Sequence, residues 1–338
     1  MNARRFGWFL RRVLLAASVG AVLWCVASAQ DAPGGGRGRW DVPIASSQDL
    51  KVGGAVLRVD IAAGALDLPK ETLVAHIRTA AEAVTTYYGH FPVQHARVLV
   101  IPIEGRGGGD VGGTTWGDMR GWQGLTRLRI GEHMTADALK DDWTTTHELV
   151  HMAFPSMPDD QHWMEEGIAT YVEPLSRVMT GELTSRKVWG DMFRDMHQGE
   201  PASGDEGMDR THTWGRTYWG GALFCLSADV EIRKETGNRK GLRDALQAIV
   251  AAGGTIDHDW DLPKALAVGD SATGTHVLTN LYAAWKDKPV EVDLPKLWAD
   301  LGVRAGADGV EFDDSAPLAK IREGIAARRV KQELRGGI

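Results

Sequence analysis

The stretch from Trp143 to Pro174 constrains this 338-residue chain more than any other. It reads Thr-His-Glu-Leu-Val-His up to His151, is interrupted by Pro155 and Pro158, and resumes as Trp163-Met164-Glu165-Glu166-Gly167-Ile168-Ala169-Thr170-Tyr171. Residues four apart on a helix differ by only about 40° in rotation, so His147 and His151 leave the same face one turn apart. One zinc ion can take both imidazoles at that spacing. Glu148 then stands beside the metal rather than on it, where a general base for a metal-activated water belongs. The pentapeptide alone is also compatible with an ordinary amphipathic helix, so the identity of a third ligand matters.

Pro155 and Pro158 forbid a continuous helix. The first helix is expected to begin between Thr135 and Asp141 and to end at Phe154, and the second to cover about His162 to Glu173. The short connection makes them antiparallel neighbours. At 1.5 Å rise per residue, His151 and His147 stand roughly 4.5 and 10.5 Å from the turn, and Glu166 about 6 Å from it on the second helix. Glu165 has a similar height but points about 100° away, with Ile168 and Val172, toward the core. The expected zinc ligands are therefore His147, His151 and Glu166. His162 is expected to cap the second helix or rim the cleft, with zinc ligation as the alternative. Glu173 reads either as a hydrogen-bond partner of a ligating histidine or as a solvated carboxylate.

The N-terminus carries Arg4, Arg5, Arg11 and Arg12, an apolar run from Val13 to Val26, and Ala27-Ser28-Ala29. That is the pattern of an export signal cut after Ala29, and the run falls short of the roughly 20 residues a membrane helix needs. Cleavage removes four arginines and no acids, moving the formal charge from -7 to -11. The expected product is secreted or periplasmic, has no stable membrane anchor, and offers no basic patch for nucleic acid. Cys25 leaves with the signal, and Cys225 lies in an apolar run, which rules out a cysteine-based metal site.

Residues 30–39 read as a flexible tether, 40–135 as an α/β part carrying a substrate-flanking sheet, 136–255 as a helical zinc-binding part, and 256–338 as a mostly helical C-terminal part. Val52 to Ile61 alternates as a strand, Pro69 opens a helix that Gly89 stops, and Ala96 to Ile103 is a second strand. Gly105 to Gly124 reads as a mobile loop or hairpin, since no phosphate-loop pattern is present. Leu125 to Ile130 alternates again, and its edge is expected to accept an extended peptide. Trp214 to Thr236 is expected to form one long helix. Further helices are expected over Leu242 to Val250, Thr275 to Trp285 and Pro295 to Leu301.

The two motifs, followed by Arg216-Thr217-Tyr218-Trp219-Gly220-Gly221-Ala222-Leu223, resemble the gluzincin metallopeptidases, above all their glycyl aminopeptidase-like branch. The resemblance covers roughly residues 90 to 255. It implies an α+β, thermolysin-like fold with a small mixed sheet over a mostly helical lower half. It also implies a zinc-dependent peptidase acting on peptides or proteins through a zinc-bound water activated by glutamate. Position by position, His147, His151 and Glu166 match the zinc ligands, Glu148 the general base and Tyr218 the phenol that stabilises the tetrahedral intermediate. His212 is the alternative oxyanion donor. The sequence departs from the pattern in three ways. Only 14 residues, Met152 to Glu165, separate His151 from Glu166; Gly220 stands where relatives often carry lysine; and Gly112 to Gly117 holds no acid to grip a free α-amine. Aminopeptidase action is therefore not implied. The alternative function is a non-catalytic secreted binding protein that keeps the fold, and a third is the same site acting on another bond, such as an amide or epoxide.

Overall fold

The computed structural model describes residues 41–107, 111–307 and 309–328; the expected export signal and tether lie outside them. The described chain opens with a hairpin of β1 (Ile44–Val52) and β2 (Ala55–Ala62) where one strand was expected. Gly53 and Gly54 take φ of 56° and 87°, and two successive positive-φ residues make the tight turn that matches strand twist. Val52 thus pairs with Ala55 instead of continuing into it. Helix α1 (Lys70–Tyr88) follows, entered at Pro69 and closed by left-handed Gly89, and it buries Leu73, Ile77, Ala80, Ala81 and Val84.

Strand β3 (His95–Gly107) runs parallel to β2, so β2, α1 and β3 form a crossover unit. The glycine-rich segment is the hairpin of the two alternatives: β4 (Val111–Met119) turns at Arg120 and Gly121 into β5 (Trp122–His133). Sheet order is β1-β2-β3-β5-β4, with β3 and β5 parallel and β4 antiparallel to β5. The expected peptide-accepting edge is corrected accordingly. Leu125 to Ile130 is paired on both sides, and the outer strand on that side of the sheet is β4.

The expected first zinc helix is split into α2 (Ala136–Lys140) and α3 (Thr144–Val150), with a 3₁₀ turn over His151–Ala153 before Pro155. The cause is Asp142, whose carboxylate accepts the Thr144 and Thr145 amides at 2.8 and 3.3 Å and the Thr145 hydroxyl at 2.5 Å. It thereby starts a new helix three residues before His147. Helix α4 (His162–Thr180) runs past its expected end, through Pro174, to left-handed Gly181. Proline in a helix interior costs about 3 kcal/mol. Buried Leu175, Val178 and Met179 beyond it offset that, at about 1.5–3 kcal/mol for each fully buried apolar side chain.

Helix α5 (Ser185–Asp195) comes next, and the expected long helix after Trp214 is present as one helical run, π-helical over Arg216–Gly220 and continuing as α6 (Gly221–Glu235). Helices α7 (Leu242–Ala251), α8 (Leu262–Thr273), α9 (Val277–Trp285) and α10 (Leu294–Leu301), a small hairpin of β6 (Val303–Gly306) and β7 (Gly309–Phe312), and α11 (Ala319–Ile325) complete the described chain. The architecture is α+β, a small mixed sheet beside many helices. One apolar cluster joins Leu57, Val98 and Leu128 of the sheet to Ile77, Leu149, Trp163 and Leu223 of the helices. Cys225 is buried within it, and burial pushes its thiol up, as suits a core residue. Among the described residues no helix is long and apolar enough to cross a membrane.

Candidate metal centre

Helices α3 and α4 bring His147, His151 and Glu166 together, with one donor atom from each lying within 4.8 Å of the others. Glu166 Oε2 sits 3.0 Å from His147 Nε2 and 3.6 Å from His151 Nε2. Donors on a tetrahedral zinc with bonds near 2.05 Å stand roughly 3.3 Å apart, so these separations suit one ion. Two imidazoles and a carboxylate are also the donor chemistry zinc prefers. Burial opposes charge on Glu166, yet His151, His147 and His162 together hold its carboxyl well below the usual range. Burial drives the His151 ring down to about 4, which keeps it neutral and able to ligate.

Glu165 does not reach the cluster. Its Oε2 lies 3.0 Å from His162 Nδ1, while His162 Nε2 lies 3.1 Å from Glu166 Oε1. His162 therefore neither joins the three donors nor simply caps the helix. It occupies the Glu166 oxygen that faces away from the other two histidines and leaves Oε2 for them. Glu173 is buried and accepts from Arg177 Nη1 at 2.8 Å, which corrects both alternatives for it. His147 Nδ1, also buried, has no hydrogen-bond partner among the described residues.

Glu148 is buried beneath β4. The Thr115 hydroxyl is 2.7 Å from its Oε2 and 3.0 Å from its backbone carbonyl, and Thr126 Oγ1 stands 2.9 Å behind Thr115. Burial pushes the Glu148 carboxyl up to about 7, against the pull of His147 and Thr115. The close approach requires glycine at position 113, where a Cβ would run into Glu148 Cγ. Tyr218 stacks on His147 with ring centroids 6.1 Å apart, and burial together with the Glu166 and Glu148 carboxylates pushes its phenol up. Tyr218 lies in the π-helical segment. His212 is exposed.

No protein-family model matches the sequence, and no curated protein does. Among solved structures, the aminopeptidase N family protein from Idiomarina loihiensis superposes with a TM-score of 0.58 at 14% identity, over 76% of this chain and 49% of that one. The two share a fold. An M1 zinc metallopeptidase from Deinococcus radiodurans gives a TM-score of 0.48 at 17% identity, over 75% of this chain and 53% of that one. This chain spans about half the length of these structures.

Thr115 and the bridging role of His162 escaped the sequence reading. The segment Gly112 to Gly117 lacks an acid, and a β-branched hydroxyl in a strand carries no mark of its partner across the sheet edge. His162 offered one signal: histidine four residues before a ligating glutamate on a helix faces it by periodicity.

Proposed function

We propose that this chain is a secreted zinc-dependent metallopeptidase that hydrolyses peptide bonds, with His147, His151 and Glu166 as metal ligands, Glu148 as general base and Tyr218 as oxyanion donor. The observation that carries the reading is the placing of a buried carboxylate, Glu148, next in sequence to a member of a three-donor cluster, with one oxygen tied to Thr115. Zinc, when bound, supplies the Lewis acidity that acidifies water and polarises a carbonyl. Glu148 takes the proton from the attacking water and returns it to the leaving amine. A carboxyl near 7 suits proton transfer in both directions, and a neighbouring dication shifts it toward the ionised, proton-accepting form. The Tyr218 phenol, kept protonated by burial, donates to the oxygen on which negative charge develops.

The glycyl aminopeptidase-like resemblance bears on the fold and these residues, not on a terminus requirement, because Gly112 to Gly117 carries no carboxylate. Export rests on the N-terminal pattern alone. Metal analysis of the purified protein, with mass-spectrometric profiling of a mixed peptide library, tests the reading. One zinc per chain and cleavage that Glu148→Gln abolishes are expected. Wild-type turnover by zinc-loaded Glu148→Gln would falsify the mechanism.

A further inference from the structure

Among the described residues three large apolar side chains are exposed, Ile44, Trp143 and Trp214. Isolated exposed apolar side chains are ordinary on a protein surface. Two of these, however, end a continuous run of rings through the metal cluster. Trp143 meets His147 edge to face at 5.2 Å, His147 stacks on Tyr218 at 6.1 Å, and Tyr218 stacks on Trp214 at 5.8 Å with planes 26° apart. Trp214 leaves half of its surface, 51%, in solvent.

That indole is already held by its stack on Tyr218, so a ligand ring laid against it orders little further. Aromatic pairs in offset or edge contact contribute about 0.5–1.5 kcal/mol beyond their buried area. The indole offers a broad flat face with no formal charge of its own, which suits a ligand's aromatic ring. Its reach is also limited. The Trp214 ring lies at most about 12 Å from that of His147, and an extended peptide advances about 3.3 Å per residue. We propose that Trp214, with Trp143 at the other end of the run, is a specificity wall selecting peptides with an aromatic side chain within about three residues of the reacting bond. The inference rests on the peptidase reading for the phrase "reacting bond", while the wall itself is a statement about binding.

The test is calorimetric titration of the full-length, zinc-loaded Glu148→Gln protein with end-blocked alanine hexapeptides carrying phenylalanine at each position in turn. One or two placements are expected to bind about tenfold tighter than the all-alanine peptide. Trp214→Ala should erase that gain without changing zinc content, and Trp214→Phe should keep most of it. No favoured placement, no binding of any peptide, or a preference that survives Trp214→Ala overturns the proposal. Selective binding that Trp214→Ala erases, together with a wild-type chain that cuts none of these peptides, overturns the peptidase reading and leaves the wall standing.

Discussion

Gly167 of α4 and Gly221 of α6 meet backbone against backbone, and a Cβ on either would overlap the main chain of the other. Glu166 precedes the first glycine and Tyr218 lies three residues before the second, so this contact sets the distance between metal ligand and phenol. Gly167→Ala is predicted to push the helices apart, lowering stability by about 1–3 kcal/mol and reducing zinc content. Chemical denaturation and metal analysis of the purified variant check this. Native stability with full zinc content would show that the crossing has slack.

Thr115 holds Glu148 from the sheet side, through a hydroxyl 2.7 Å from the carboxylate. A hydrogen bond to a charged group contributes about 1.5–3 kcal/mol. Thr115→Val keeps the shape and removes the donor, so kcat is predicted to fall at least about tenfold with KM little changed. Thr115→Ser should restore it. A valine variant with wild-type kcat would mean that Glu148 is oriented by packing alone.

The helical spacing of His147, His151 and Glu166 makes the cluster legible in the sequence: His147 and Glu166 sit on regular helix, and the 3₁₀ turn that begins at His151 still leaves its ring 4.9 Å from that of His147. What escaped depends on contacts between elements. Asp142 breaks the expected helix by binding two amides that follow it, and nothing in the hydrophobic period marks that cap. Pro174 fails to stop α4 because burial beyond it outweighs a local rule. The strand Leu125 to Ile130 has the alternation of an edge, but which strand is outermost is decided by pairing with β4. Trp214 and Tyr218 lie on one helical run, as expected, but the π-helical segment Arg216–Gly220 changes the angle between its residues and has no mark in the hydrophobic period.

Asp142 joins the fold to acid sensitivity. Burial raises its carboxyl, but the His76 ring at 2.8 Å and the Thr145 hydroxyl and amide outweigh that and hold it below the usual range. A depressed carboxyl stabilises the folded state fully above the unfolded value near 4, and the contribution is lost as pH falls through the folded value. Asp142→Ala is predicted to cost about 1–2 kcal/mol at pH 7, the usual worth of a helix cap. The gap between variant and wild type should narrow below about pH 4. Denaturation with a chelator present keeps metal release out of the comparison; a gap constant from pH 7 down to about pH 3 would refute the assignment.

His162 gives the sharpest test of how Glu166, the proposed third ligand, is held. Its Nε2 occupies Glu166 Oε1 at 3.1 Å, which fixes the carboxylate so that Oε2 faces the rings of His147 and His151. Losing a group that orients a ligand typically weakens metal affinity about 10–100-fold. His162→Ala is predicted to fall in that range in competition with a chromogenic chelator, while His151→Ala, which removes a donor, should lose tight binding altogether. The difference separates orientation from ligation. Were His162 itself a ligand, its alanine variant would match His151→Ala; were it only a helix cap, zinc affinity would stay at the wild-type value while helix stability fell.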